Sequence, residues 1–487
     1  MDKRESDILS VKRSIGWVYS DLKWLSQAEA LEAGQERSAL LASLGGMAHY
    51  SFLESKIFTG SLSRGCQLCG QGRWSCLFMN YACNKNCFYC PQDKQDTEKK
   101  APVEEVSFNS PQEYVDYLKA FGCKGAGLSG GEPFIAFEKL ITYVKTIRAC
   151  LGKQFYIWVY TNGDLVTREK LKALKGAGLN EIRFNTSARG YDLKPVKLAV
   201  NIIDTVTVEI PMIPEDLEPV KQHVWAISAL GVKHLNIHQL HANEVNYKNY
   251  RGRGYTFLHQ PGIPVLESEI AALRLIKFAL SNKIPLSLHY CSSMYKDKFQ
   301  NRGYRCRKAN LLKDGFEDVT DAGYIRRLSI QGTEGTINKI VKSLQKKKAC
   351  NKQWAKNGPH AEVFIRLSLV PLFDDSQCCF SVTYFTPVLG ESPFCDEMNK
   401  EIRIGLSRSI LLGKNPAAHY REVSKSAIQS FYKIFLEKQD ERSALGLLYR
   451  NYNLRSKEDS SAVKKGVEFL KSVKTWELIE PGFPEIY

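Results

Sequence analysis

Three cysteines, Cys83, Cys87 and Cys90, stand in the run Cys83-Asn84-Lys85-Asn86-Cys87-Phe88-Tyr89-Cys90. Gaps of three residues and then two fold one short loop so that three thiolates converge on a point, which is how a loop holds an iron–sulfur cluster. Cubane clusters usually take four cysteines, and the next thirty residues hold no fourth. One iron is then left open to a substrate or cofactor, which implies chemistry rather than electron storage alone. A structural zinc is the alternative occupant of such a trio.

A second group precedes the first: Cys66-Gln67-Leu68-Cys69, then Cys76. A two-residue gap lets two thiolates bind one metal, and Gly65, Gly70 and Gly72 give the chain freedom to wrap it. Its partners must come from elsewhere, and Cys291 in His289-Tyr290-Cys291-Ser292-Ser293 and Cys306 in Tyr304-Arg305-Cys306 are the candidates. The site is either an auxiliary iron–sulfur cluster or zinc, or else a set of buried free thiols, the reading adopted for Cys76. Cys123, Cys150, Cys350, Cys378, Cys379 and Cys395 lack a ligand pattern and are assigned to packing. His238 and His241, in Asn236-Ile237-His238-Gln239-Leu240-His241, are candidate proton relays or substrate contacts, because imidazole titrates near neutrality. Hydrogen-bonded structural histidines are the alternative. The basic stretch Tyr295 to Arg307 either holds an anionic substrate group or forms a solvated face.

These groups need elements to position them. Short strand-like runs, Ser75–Met79, Gly125–Ser129, Tyr156–Tyr160, Glu181–Phe184, Thr205–Ile210 and His234–Leu240, alternate with helical ones, the pattern of a partial barrel of parallel strands. The loops leaving the C-terminal ends of such strands converge on one site. The cysteine loop follows the first strand, Ser129-Gly130-Gly131-Glu132-Pro133 the second and Tyr160-Thr161-Asn162-Gly163 the third, while Asn185, Pro211–Pro214 and His238–His241 end the last three. A further apolar run, Pro285–Cys291, adds a strand that closes or caps the barrel. Residues 1–64, with Ile15, Val18, Leu22 and Leu25 at helical spacing, are expected as an N-terminal helical cap, and 65–310 as the barrel. Residues 311–395 are expected as a small α+β module, and 396–487 as a helical region with breaks at Leu412-Gly413 and Arg450–Ser456.

The cysteine trio, Gly130-Gly131-Glu132-Pro133 and Thr161-Asn162-Gly163, in this order, resemble the signature of the radical S-adenosylmethionine (radical SAM) superfamily. The stretch from Gly65 to about Tyr324 is similar to a prokaryotic group related to pyruvate formate-lyase activating enzyme, on Gly65-Cys66-Gln67-Leu68-Cys69, Asn86-Cys87-Phe88-Tyr89-Cys90-Pro91 and His289-Tyr290-Cys291-Ser292-Ser293. The resemblance implies an α/β fold, a partial (β/α)6 radical SAM barrel with an N-terminal helical cap and a C-terminal α+β/helical extension. It implies a [4Fe-4S] cluster on Cys83, Cys87 and Cys90, with SAM on the open iron. Tyr89, Ser129, Gly130, Gly131, Glu132, Pro133, Thr161, Asn162 and Asn185 then border SAM, with Glu132 taking its ammonium. The implied activity is reductive cleavage of SAM to a 5'-deoxyadenosyl radical, fed by a one-electron donor of flavodoxin or ferredoxin type, and hydrogen abstraction from a peptide, protein side chain or small metabolite. RNA modification is the second enzymatic reading, and a metal-stabilised interaction protein on a degenerate barrel the non-enzymatic one.

The chain of 487 residues is long enough for two or three domains. Its 68 basic and 52 acidic residues leave a formal charge of +16. That balance suits a polyanion, an acidic protein or an anionic metabolite, or is a generally basic surface, and nucleic acid is not favoured. A charged N-terminus and the lack of any apolar run of about eighteen residues predict no signal peptide or membrane span, and a cytoplasmic protein. Fourteen cysteines in so long a chain are too sparse for a disulfide framework and fit a reducing compartment.

Overall fold

The computed structural model describes residues 8–9, 11–13, 15–16, 19–92, 102–103, 106–346, 349–357, 361–373, 379–390, 396–405, 408–440 and 457–483. Val18, Cys378, Cys395 and the Arg450–Ser456 break lie outside them. The chain divides into two units, Met1–Asn301 with Ile404–Leu406 and Glu480–Tyr487, and Arg302–Arg403 with Ser407–Ile479.

The first unit is built on nine strands: β1 His49–Ser51, β2 Lys56–Phe58, β3 Trp74–Phe78, β4 Gly125–Ser129, β5 Tyr156–Thr161, β6 Glu181–Phe184, β7 Thr205–Pro211, β8 His234–His238 and β9 Ser287–Cys291. Their order across the sheet is β1-β2-β9-β8-β7-β6-β5-β4-β3. Strands β3 to β9 pair in parallel with their chain neighbours, so the order never reverses and the sheet is an open barrel. The six expected strands are present, and the Pro285–Cys291 run supplies a seventh parallel one. Parallel strands need crossovers. These contain the helices α3 Pro111–Ala120, α4 Phe137–Leu151, α5 Arg168–Gly176, α6 Lys194–Ala199, α7 Leu217–Ala229 and α8 Leu266–Ser281, which follow α1 Gln27–Leu44 and α2 Arg64–Gly70. Strands β4 and β6 are buried along nearly their whole length, as strands covered on both faces must be.

The N-terminal segment, expected as a helical cap, also carries strands. Helix α1, started by a Ser26/Glu29 capping box, packs against α8 through Leu25, Ala30, Leu266 and Ile270. The β1–β2 hairpin then extends the sheet, antiparallel to β9. Residues Lys23 to Leu25 run beside Phe257, and Leu22 joins Leu240, Tyr250 and Phe257 in one apolar cluster with Phe88 and Tyr89.

The second unit holds a seven-stranded antiparallel sheet: β10 Ile325–Gln331, β11 Trp354–Asn357, β12 Glu362–Ile365, β13 Cys379–Leu389, β14 Asn399–Arg403 and β15 Ser409–Val423, in the order β11-β12-β10-β13-β15-β14, and the short strand Asp318–Val319 pairing β10. It also holds helices α9 Arg302–Leu312, α10 Glu334–Lys346, α11 Lys425–Phe435 and α12 Lys457–Glu477. Leu328, Ile330, Val363 and Val382 pack with Ile337 and Ile340 of α10, Ile428 and Phe431 of α11, and Leu470 and Val473 of α12. Expecting residues 396–487 to be helical therefore fails over its first part. The sheet continues through residue 423, and Leu412-Gly413 is no break but lies within β15, where Gly413 pairs with Val388 and Asn399.

Candidate active site

The chain leaving β3 is tied to the turn leaving β4 by consecutive backbone hydrogen bonds. Met79 N–H donates to the Ser129 carbonyl at 2.7 Å, Gly131 N–H to Asn80 at 2.8 Å and Glu132 N–H to Ala82 at 2.8 Å. Approach this close requires glycine. A Cβ on Gly131 would stand 2.1 Å from the Ala82 carbonyl oxygen, and Gly130 combines φ of +130° with a 2.3 Å approach to Asn80. The Gly-Gly turn thus sets where the cysteine loop begins.

Glu132 is fully buried. One carboxylate oxygen accepts from Phe134 N–H at 3.0 Å and the Thr161 hydroxyl at 2.8 Å, the other from Asn162 N–H at 2.7 Å. Burial pushes its carboxyl above the ordinary value and the three donors hold that rise back. Glu132 therefore joins the turn after β4 to the turn after β5. Pro133 starts the short helical turn Pro133–Ala136 that carries Phe134 into the core.

The Thr161-Asn162-Gly163 turn reaches the cysteine loop in its own right. Asn162 Nδ2 donates to Asn84 Oδ1 at 2.7 Å and stands 3.9 Å from Cys83 Sγ, which Lys85 N–H meets at 3.4 Å. Asp164 binds Asn84 at 3.0 Å and Lys85 at 2.7 Å, and pairs with Arg189. From the end of β6, Asn185 Nδ2 donates to the Tyr89 hydroxyl at 3.2 Å, and Ser187 meets the same hydroxyl at 2.7 Å. Burial foremost raises the Tyr89 phenol.

Opposite these turns, three asparagines missed in the sequence reading hold the loop's backbone. Asn243, Asn246 and Asn249 donate from Nδ2 to the carbonyls of Pro91, Tyr89 and Phe88, at 2.9, 3.0 and 3.1 Å. Their spacing of three residues was the available signal. The Arg253 guanidinium lies 3.6 Å over the Phe88 ring and pairs with Glu215 at 3.1 Å.

The barrel interior is charged, which the sequence reading also missed. Arg183 contacts Glu181 at 2.9 Å and Glu209 at 3.0 Å, and Glu209 contacts His238 Nε2 at 2.8 Å and Asn236 Nδ2 at 2.8 Å. Charged residues at alternate positions of otherwise apolar strands were the sign. Burial alone would raise the Glu209 carboxyl, but Arg183 and His238 outweigh it and hold it far below the carboxylate range. Burial and then Lys296 lower His238 despite Glu209, and burial lowers His241 to about 4. The His241 imidazole is therefore neutral near pH 7. His238 faces an interior cavity of about 100 Å³, while the His241 backbone carbonyl accepts from Asn246 and Tyr250.

Cys66, Cys69 and Cys291 line that cavity together with Lys56, Asn236, His289 and Gln300. Cys306 lies on α9 in the second unit. Cys76, expected as a buried thiol, is half-buried on β3. Among the described residues, no group of three or more His, Cys, Asp or Glu side chains is arranged to hold a metal ion as it stands. No described helix is long and apolar enough to cross a membrane.

Residues 77–224 match the Radical SAM superfamily. Over 296 residues the chain is 29% identical to the "Putative glycyl-radical enzyme activating enzyme MJ0021" of Methanocaldococcus jannaschii, covering 58% of this chain and 78% of that one. It is also 29% identical over 221 residues to the "Probable GTP 3',8-cyclase" of Thermoplasma volcanium, covering 42% of this chain and 64% of that protein. Among solved structures, Streptococcus suis SuiB bound to S-adenosylmethionine aligns with a TM-score of 0.35 at 9% identity, over 49% of this chain and 56% of SuiB.

Proposed function

Because the chain is an enzyme carrying a radical SAM superfamily domain over residues 77–224, we propose that it cleaves SAM reductively and directs the resulting radical at a C–H bond of a peptide or protein side chain. The observation that carries this reading is the convergence of three strand-end turns on one cysteine loop. Gly131 and Glu132 bind its start, Asn162 binds Asn84, and Asn185 binds Tyr89. The donor set fits a [4Fe-4S] cluster on Cys83, Cys87 and Cys90. Three thiols share one loop, and Cys83 Sγ receives Lys85 N–H and Asn162 Nδ2, as cluster sulfurs do. Bound there, cluster and SAM supply one-electron cleavage of a carbon–sulfur bond, which yields methionine and a 5'-deoxyadenosyl radical able to take a hydrogen atom from substrate.

The chain's own residues position and insulate. Gly130, Gly131, Tyr89, Thr161, Asn162 and Asn185 would hold SAM beside the cluster. His238, held through Nε2 by Glu209, stands beside the cavity. A protein substrate is supported by the name of the M. jannaschii relative, and the +16 charge suits an acidic one-electron carrier of flavodoxin or ferredoxin type. Cys66, Cys69 and Cys291 hold a second metal.

The test is anaerobic reconstitution with iron analysis, electron paramagnetic resonance with and without SAM, and quantitation of 5'-deoxyadenosine and methionine after reduction. About four irons per chain, a SAM-perturbed signal and equal amounts of the two products are expected, all lost in Cys83→Ala/Cys87→Ala/Cys90→Ala. A reduced cluster that leaves SAM intact would overturn the reading.

A further inference from the structure

Inside the first unit, four soft metal donors face one another without taking part in the cysteine loop. Cys66 and Cys69 are three residues apart on α2, and His289 and Cys291 two apart on β9, so each pair shares a face of its element. All four line the cavity of about 100 Å³. Cys66 Sγ stands 3.9 Å from His289 Nε2. Sulfur and nitrogen ligands of one tetrahedral zinc, with bonds of about 2.3 and 2.05 Å, lie about 3.6 Å apart.

Two further observations point to a charged occupant. Asn236 Nδ2 donates to Cys66 Sγ at 3.4 Å and Gln300 Nε2 to Cys69 Sγ at 2.7 Å, amide contacts of the kind that support metal-bound thiolates. Lys56, 1% exposed, lines the same cavity with its ammonium 3.8 Å over the Tyr295 ring. It makes no ion pair among the described residues. A buried ammonium calls for a nearby negative charge.

We propose that Cys66, Cys69, Cys291 and His289 bind one zinc ion as a closed Cys3His structural site. The proposal deepens the second-metal reading and rests on it, with His289 taking the place expected of Cys306. Three thiolates and neutral imidazole around a dication leave one negative charge, which the Lys56 ammonium balances. The donors do not yet close on one point, so binding draws them together by side-chain rotation. The site has a clear mechanical use. Helix α2 leads directly into β3, the first parallel strand, and β9 is the last, so the ion ties together the two ends of an open barrel. Zinc binding energy of this kind is folding energy.

The test is metal analysis of the full chain after chelator treatment, with zinc K-edge X-ray absorption of the wild type. One zinc per chain is expected, with three sulfur neighbours near about 2.3 Å and one nitrogen near about 2.0–2.1 Å. Zinc should fall at least tenfold in Cys66→Ser and His289→Ala, and stay in Cys83→Ala/Cys87→Ala/Cys90→Ala, which loses its iron. Should the single variants fail to fold, the absorption spectrum of the wild type still decides. Iron persisting in the triple cysteine variant would mean a second cluster and overturn zinc. No metal there would leave only buried thiols and overturn the second-metal reading too, while SAM cleavage by the wild type would remain a separate question.

Discussion

Glu132 poses the sharpest question at the scale of the residue, because its motif suggests a carboxylate offered to a ligand, whereas its side chain is buried and already accepts three hydrogen bonds. Glu132→Gln keeps the shape but turns an NH2 group toward one of those donors, and is expected to cost roughly 1–3 kcal/mol of stability, measured by anaerobic urea unfolding. SAM affinity should fall with it, because the turns after β4 and β5 lose their common anchor. Unchanged stability with affinity lost would mean that the carboxylate serves the ligand directly. His223 gives a pH test away from the site. It is 5% exposed, its Nε2 lies 2.9 Å from the Thr186 hydroxyl, and burial lowers it to about 4. The unfolded chain takes up this proton near pH 6.5, the folded one only near 4, so stability contributed at neutral pH is lost as pH falls between those values. His223→Gln keeps a hydrogen-bonding side chain without the titration. Wild type should therefore lose up to about 3 kcal/mol relative to it between pH 7 and pH 4, and parallel pH profiles would show that the ring titrates alike in the folded and unfolded chain.

Among elements, the Asn243–Asn249 segment does for the cysteine loop what the Gly-Gly turn does from the other side. Each of its three amides caps a carbonyl of Phe88, Tyr89 or Pro91, and Asn246 also ties the segment to itself through the His241 and Asn243 backbones. Asn243→Ala/Asn249→Ala spares that inner link. It does remove the Asn243 Oδ1 acceptor of the Val245 and Asn246 N–H groups, and should shorten the lifetime of the reconstituted cluster under chelator several-fold while lowering stability by about 1–3 kcal/mol in urea unfolding, since the lost bonds are exposed or partly solvated. A cluster as durable as wild type would make these contacts incidental. Elements were legible where local pattern and tertiary role agree. The barrel strands are apolar runs between turns, and Gly125–Ser129 and Glu181–Phe184 were placed to the residue. Strand β15 was not, because Leu412-Gly413 reads as a break, while Lys414 is buried against Asp314 and Glu317 at 2.7 and 2.8 Å, a pairing across about a hundred residues that no local window contains. Similarly, His289 and Cys291 alternate on one strand, but only the fold brings them to Cys66.

Over the whole molecule, the residues assigned to radical chemistry belong to the first unit, and the second has a polar core of its own that can be probed separately. Arg326 of β10 is 5% exposed. It pairs with Glu477 at 2.7 Å and Asp318 at 3.1 Å, and Glu477, near the end of α12, also accepts the Tyr384 hydroxyl of β13 at 2.7 Å. Helix α12 is thereby fixed to two central strands by one carboxylate. A buried pair contributes little over an apolar replacement, but breaking it leaves a charge uncompensated at a cost of about 3–5 kcal/mol. Glu477→Ala leaves the Arg326 guanidinium with Asp318 as its one carboxylate partner among the described residues and strands the Tyr384 hydroxyl, and should lower stability by no more than that order when unfolding is followed by fluorescence. Trp476, at 4.9 Å from the Tyr324 ring, reports on the same helix end. Arg326→Met/Glu477→Met removes both charges and should recover most of the loss. Iron bound through Cys83, Cys87 and Cys90 should be unchanged in either variant, because no ligand of the proposed cluster lies in the second unit. If Glu477→Ala instead released iron with its stability intact, residues 302–479 would be part of the machinery that holds the cluster, and the division of labour between the two units would have to be redrawn.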